Sequence, residues 1–346
     1  MNIFKIIICF CLLYFFQFSV AQGKTEQLNI YCWAEEIPYS IINDFSKEYG
    51  LNVSLTTYDN NETMYSKLKI LRQNSGYDLI CPSNYYVKKM INENLIQQID
   101  KEKIPNLKNI DQNVLNKYFD PKNQYTLPYT ITQTGILYNS KYVTTKIYSW
   151  NDLFNTKYKN NILLINDIRE VFSIGLILLG YNANDKEEVH IKQVYEKLKT
   201  LLPNVKILSA ESIKIPYITE EVIIGMNWNG EAYMSIQENP DLKFIYPKEG
   251  TLISIDSFAI AKNSKNIENA YKFINFIYRA ETTKKIIEEV GYNLPNKAAK
   301  NLLPENIRNN HTIFPNKSIM AKGLFNHDIG KAISVYEKYW RKLKAN

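Results

Sequence analysis

Residues 28–40 read Leu-Asn-Ile-Tyr-Cys-Trp-Ala-Glu-Glu-Ile-Pro-Tyr-Ser. The apolar run 28–33 predicts a strand. Residues 37–49 predict a helix, with Ile37, Ile41 and Phe45 on one face and Gly50 as its stop. Between them stand an indole, Trp33, and two adjacent carboxylates, Glu35 and Glu36. No Lys or Arg follows within ten positions to neutralise them. The alternation continues outward: a strand over 53–58, a helix over 62–74, a strand over 77–81 ended by Pro82-Ser83, and a helix over 85–94. This βαβαβα order predicts an α/β lobe with a mostly parallel sheet and helices on both faces.

The pattern then changes. Residues 125–129 and 132–139 are two extended runs in succession, and 242–246 and 251–261 repeat that arrangement around Pro247-Lys248-Glu249-Gly250. A second α/β block lies between. It has strands over 161–165, 205–209 and 222–228 and helices over 170–179, 187–202 and 231–238, and one long helix is expected later over 267–290. With 346 residues, two domains of ~150 are expected. We read two α/β lobes joined by extended crossovers near 130 and 254. One lobe takes 22–131 plus 256–300, the other 132–255 plus 301–346. A cleft between such lobes is a favoured ligand site, and strand C-termini point into it.

Residues 1–21 read as a cleaved signal peptide. Lys5 precedes the apolar run from Ile6 to Phe16, and Ser19-Val20-Ala21 is a small-x-small cleavage site. The run is short of the ~20 residues a membrane span needs. Cys9 and Cys11 lie inside it rather than at its end, so a lipid anchor is not expected and a soluble exported chain from Gln22 is. Export permits oxidation of the two remaining cysteines, Cys32 and Cys81; buried thiols and a disulfide both stay open. The 42 basic and 35 acidic residues leave a formal charge of +7, but the lysines are scattered and the densest patch, 336–342, reads as a solvated helix face. With export, this excludes nucleic acid as a partner.

The strand ends can be named without knowing the ligand. They carry Trp33, Glu35 and Glu36; Ser83, Tyr85 and Tyr86; Asn166, Asp167 and Glu170; Trp228; Asp256 on the second crossover; and Tyr292 after Gly291. This set is aromatic and acidic. Carboxylates select cations, and ring faces add ~0.5–2 kcal/mol each. A unit charge pair at 4 Å contributes on the order of 4 kcal/mol at an effective dielectric of ~20. Two or three such pairs, less desolvation and ordering, reach the ~8 kcal/mol of micromolar binding. Such a slot suits a long, flexible polycation such as a polyamine. Plainer roles stand beside this one. Asp167-Ile168-Arg169-Glu170 is also a D-x-x-E capping box, Trp33 and Trp228 also suit an inter-lobe core, and Glu35 and Glu36 also favour a helix start. Asp256, between Ile255 and Phe258, needs a partner wherever it is buried. Catalysis finds little support. Of the three histidines, His190 and His311 read as surface residues and His327 has no evident partner. There is no Cys-x-x-Cys, His-x-x-x-His or Gly-x-Ser-x-Gly, and neither a cofactor nor a metal is expected.

The motifs Y-C-W-A-E-E-I-P, N-N-E-T-M-Y-S-K-L-K, Y-D-L-I-C-P-S-N-Y-Y-V, N-D-I-R-E-V-F-S, G-M-N-W-N-G, Y-P-K-E-G and I-D-S-F-A-I run in order along the chain and end with G-Y-N-L-P-N. Together they resemble the spermidine/putrescine-binding periplasmic proteins of polyamine ABC importers. The resemblance implies a type II, two-lobed periplasmic binding protein that is monomeric, closes on a polyamine, docks on inner-membrane permease subunits and is not an enzyme. It implies that Glu170 and Asp256 hold amino groups with Asp167 in support. Trp33, Tyr85, Trp228 and Tyr292 supply the cleft aromatics, Ser83 and Glu35 fall on binding positions, and Asn326 stands where the family has a ligand-bonding Gln. Two departures are visible. Ser254 replaces a common Trp, and Glu36 replaces a common Tyr, which trades stacking for charge and favours a more highly charged ligand.

Overall fold

The computed structural model describes residues 26–71 and 76–345; the expected signal peptide, 1–21, lies outside them. β1 (Gln27–Trp33) is a central strand flanked on both sides by parallel partners, β2 (Asn52–Tyr58) and β3 (Leu79–Ile80). That explains why Ile30, Tyr31 and Cys32 are all buried rather than alternating. Helix α1 (Tyr39–Tyr49) follows Pro38 and stops at Gly50, whose φ of 64° gives the left-handed C-cap that glycine adopts without strain. Helices α2 (Asn61–Leu71) and α3 (Asn84–Asn92) complete the first βαβαβα unit.

The two extended runs at 125–139 form one strand, β4 (Thr126–Asn139), with a register shift between Pro128 and Thr130. In the second block, β5 (Ile162–Ile165) lies parallel to both β6 (Val205–Ser209) and β7 (Ile224–Trp228). Helices α4 (Ile168–Leu178), α5 (Glu188–Lys199) and α6 (Asn229–Glu238) accompany them. β8 (Leu242–Ile245) and β9 (Leu252–Ile260) return toward the first lobe. β4 and β9 are the two crossovers, antiparallel to each other. β4 reaches β7 and β8 at one end, and β9 reaches β3 at the other. The strand order β2-β1-β3-β9-β4-β7-β5-β6 is therefore one continuous mixed sheet through the hinge. Each half has its own core. Leu28, Phe45, Tyr129, Phe258 and Phe273 pack in the first, and Trp150, Leu163, Phe172, Tyr217 and Trp340 in the second.

Two expectations need correction. The helix expected over 267–290 is two helices, α7 (Ile267–Ile277) and α8 (Ala280–Val290). Arg279 is extended there (ψ 140°), and the carbonyls the break frees find donors: the Thr283 hydroxyl bonds Ile277 O at 2.7 Å and the Asn296 amide bonds Tyr278 O at 3.0 Å. The apolar period runs straight across the break, so it hides it. Residues 301–314, expected in the second lobe, still belong to the first core through Leu303, Ile313 and Phe314. The chain crosses only afterwards, where β10 (Leu324–Phe325) joins β9, and ends in α9 (Ile333–Lys344) on the second core.

Candidate functional site

A slot between the lobes is lined by Trp33, Ala34, Glu36, Asn61, Ser83, Tyr85, Thr132, Asp167, Glu170, Trp228, Ser254, Asp256 and Tyr292. Nine of the eleven expected residues are in that lining; Glu35 and Asn326 are not. The lobes touch across it. The Tyr85 hydroxyl donates to Asp167 Oδ2 at 3.4 Å, and the Trp33 and Trp228 rings meet edge to face at 6.2 Å. Trp228 packs against both cores, so the inter-lobe and slot roles coexist.

Asp256 lies on β9 and is 3 % exposed. Its carboxyl is encircled by hydroxyls. Ser83 donates to Oδ1, with Ser254 at 3.3 Å, and Thr132 at 3.3 Å and Thr130 at 3.4 Å stand at Oδ2. The fifth neighbour is Glu36. Burial, and then the Asp256 charge, push the Glu36 carboxyl well above the usual carboxylate range, and the Thr130 hydroxyl donates to its Oε1 at 3.1 Å. Burial raises Asp256 to about 6 against the hydroxyls. Two interacting buried carboxylates disfavour simultaneous ionisation. Glu36 therefore does not add the full charge expected of it. The Cys32 thiol and Cys81 are buried behind this pair as free thiols.

A second pair comes from the second lobe. Asp167 caps α4, accepting from the Arg169 and Glu170 amides at 2.7 and 3.0 Å, and it also lines the slot. Only the N-cap half of the expected capping box forms: the Asp167 amide donates to Ile165 O at 2.8 Å, so the Glu170 side chain does not close the box and is left to the slot. Burial and the Asp167 charge push Glu170 up to about 8, although Thr134 and Trp228 bond to it. Burial raises Asp167 as well, while the two backbone amides and then Arg169 favour its ionised form. Glu170 Oε2 is buried with no donor, an open acceptor in the slot wall. The two walls thus hold two acid pairs, and burial together with mutual repulsion disfavours full ionisation of each.

Two expected residues are placed elsewhere. Glu35 takes a left-handed backbone, φ 62°, which costs a non-glycine residue about 1–2 kcal/mol, and it lies next to the slot lining rather than within it. There it pairs with Lys214 at 2.6 Å. The neutralising cation missing near Glu35 in sequence comes from 179 positions away. Asn326 is buried behind the slot. Its Oδ1 accepts from Ser173 at 3.0 Å and Arg169 at 3.4 Å, and its carbonyl from Asn84 at 2.7 Å. It braces Arg169 and Ser173 of α4.

Sequence reasoning missed Asn61 and Thr132. Asn61 opens α2, fully buried, and its amide donates to Ser83 Oγ at 3.0 Å and Tyr85 Oη at 2.9 Å. An Asn at a helix start reads as a cap, so nothing local marked it. Thr132 is one of many threonines on an extended run, and only the pairing of β4 with β9 puts it over Asp256. Tyr292 owes its place to Gly230: a Cβ there would come within 2.5 Å of the Tyr292 ring. Among the described residues, no group of three or more His, Cys, Asp or Glu side chains has a metal-binding arrangement.

Two lobes on an antiparallel two-strand hinge, closed over an acidic, ring-lined slot, define an extracellular solute receptor. The chain belongs to the bacterial extracellular solute-binding protein family, whose model matches residues 40–315. More particularly, it is 43% identical over 324 residues to the spermidine/putrescine-binding periplasmic protein of Salmonella typhimurium, covering 93% of each chain. It is 42% identical to the protein of that name in Escherichia coli K12, covering 92% of this chain and 91% of that one. A solved Listeria monocytogenes structure described as a spermidine/putrescine ABC transporter superposes with a TM-score of 0.89 at 35% identity, covering 92% of this chain and 99% of the other.

Proposed function

We propose that this chain captures a polyamine of the spermidine/putrescine class in the inter-lobe slot and delivers it to an ABC importer in the inner membrane. The observation that carries this reading is the pair of buried carboxyl couples, Glu36–Asp256 and Asp167–Glu170, in a slot also lined by Trp33, Tyr85, Trp228 and Tyr292. Bringing two acid couples together is unfavourable unless a cation lies between them. An ammonium group at each couple offsets the carboxylate charge and satisfies the open Glu170 oxygen, and the rings cover the methylene chain. Cation binding and lobe closure are then the same event, about β4 and β9, with 26–131 plus 256–314 moving against 132–255 plus 315–345. Removal of the signal peptide releases a soluble monomer into the periplasm, and no catalytic step is required of it.

The test is calorimetric titration of the ligand-free mature chain with spermidine and with putrescine at physiological salt. Saturable one-to-one binding at micromolar affinity or better supports the reading. No heat with either polyamine sinks it.

A further inference from the structure

One end of the slot carries an ion cluster that the binding scheme above does not use. Glu35 follows Ala34 of the slot lining, and Glu231 stands in the first turn of α6, three residues after Trp228. Tyr292 packs on Gly230 between them. The two carboxyls are neighbours, and Glu231, 6 % exposed, has its Oε2 buried without a donor. Facing both is Lys214, from the second lobe, between Ile213 and Tyr217 of that lobe's core. Its ammonium bonds Glu35 Oε2 at 2.6 Å.

Two carboxyls at the end of an ammonium-binding slot form a further ammonium position. We propose that Lys214 fills that position with its own side-chain ammonium, so that the slot takes a diamine in preference to a triamine. The inference rests on the polyamine reading above and adds the residue that sets ligand length. The lysine is a tethered copy of the alkylammonium end of a polyamine, a four-carbon stem ending in a primary ammonium. A third ammonium entering here must expel Lys214 from Glu35 and leave that cation unpaired, whereas a diamine spanning Glu36–Asp256 and Asp167–Glu170 leaves the pair untouched. Glu35 makes this contact from a left-handed backbone position, φ 62°. Because Glu35 and Lys214 lie on opposite lobes, the pair forms only when the lobes are shut.

The test compares wild type, Lys214→Met and Lys214→Arg by titration with putrescine and spermidine. Methionine keeps an apolar stem of similar length and removes the charge; arginine keeps the charge. The expected result is a spermidine-to-putrescine affinity ratio at least fivefold higher in Lys214→Met, unchanged within twofold in Lys214→Arg, and returned to the wild-type value by Glu231→Gln in the Met background. A smaller rise in Lys214→Met, or an equal loss for both polyamines, overturns the proposal and leaves Lys214 as an inter-lobe tie only. Failure of every protein to bind either polyamine, with melting curves showing all folded, overturns the polyamine reading itself.

Discussion

Asp256 shows what a single buried acid needs. Four hydroxyls and the Glu36 carboxyl surround it, yet its own carboxyl is still raised to about 6. Charge-assisted hydrogen bonds are worth roughly 1.5–3 kcal/mol each, and they do not fully offset removal from water. The ligand supplies the rest. Replacing Asp256 by Asn or Glu170 by Gln keeps shape and removes the charge. Each is expected to weaken polyamine binding by ~30-fold or more, equal to about 2 kcal/mol, with the melting temperature held or raised. Two mutants that titrate like wild type would place the amines elsewhere. Ser254 lies in the lining beside Asp256 and Asn84, at 3.3 Å from each. Ser254→Trp brings a ring into the slot and removes a donor, so the spermidine-to-putrescine ratio should change by at least about threefold, on the scale of one cation–π contact. An unchanged ratio means the position does not reach the ligand.

At the scale of elements, the strand-to-helix turns carry the site. The turn after β1 delivers Trp33 and Glu36, the one after β5 delivers Asp167 and Glu170, and the one after β7 delivers Trp228. These ends were legible because a strand period of two giving way to a helix period of 3.6 marks each turn. What was not legible is which side chain at a turn faces in. Glu35 and Glu36 are adjacent and chemically alike, and only the second lies in the slot lining. Gly230 is a second example, since it is required by the ring of Tyr292 from another element. Gly230→Ala should cost about 1–3 kcal/mol of stability through overpacking and displace Tyr292. Thermal melting and titration together check this: a lower melting point with at least tenfold weaker binding is expected, and full binding at wild-type stability would show that Tyr292 is free to move.

The whole molecule stores unfavourable charge at its closing face, and pH reads it out. Burial raises Glu36 and Asp167 and brings Asp256 to about 6 and Glu170 to about 8; Glu62, at about 7, and Glu231, at about 8, move the same way. Each unfolds to an ordinary carboxyl near 4. Between about pH 4 and 8 the folded chain therefore binds more protons than the unfolded one, and the stability of the ligand-free protein falls as pH rises through that window. Ammonium binding favours the ionised acids, so the sign reverses for the complex. The rise in melting temperature on adding saturating polyamine should be larger at pH 8 than at pH 5.5, with protons released on binding near pH 7. Titration in two buffers of different ionisation enthalpy measures that release directly, and identical heats in both would refute it. Amines with pKa near 10 stay charged throughout, so the effect belongs to the protein.

By itself the sequence determined the two-lobed α/β architecture, the two crossovers and nine residues of the slot, because periodicity and residue chemistry act locally and strand ends converge on a cleft in this topology. Tertiary structure alone decided three further matters. It set the direction of Glu35, because Lys214 meets it only through lobe closure. It set the raised affinity of Glu36 for a proton, because only the β4–β9 pairing and the turn after β1 bring it against Asp256 in a buried site. And it placed Asn326 outside the slot lining, because the side chains that claim its oxygen lie on α4, more than 150 positions earlier in the chain. Each depends on the approach of residues far apart in sequence, which no local pattern encodes.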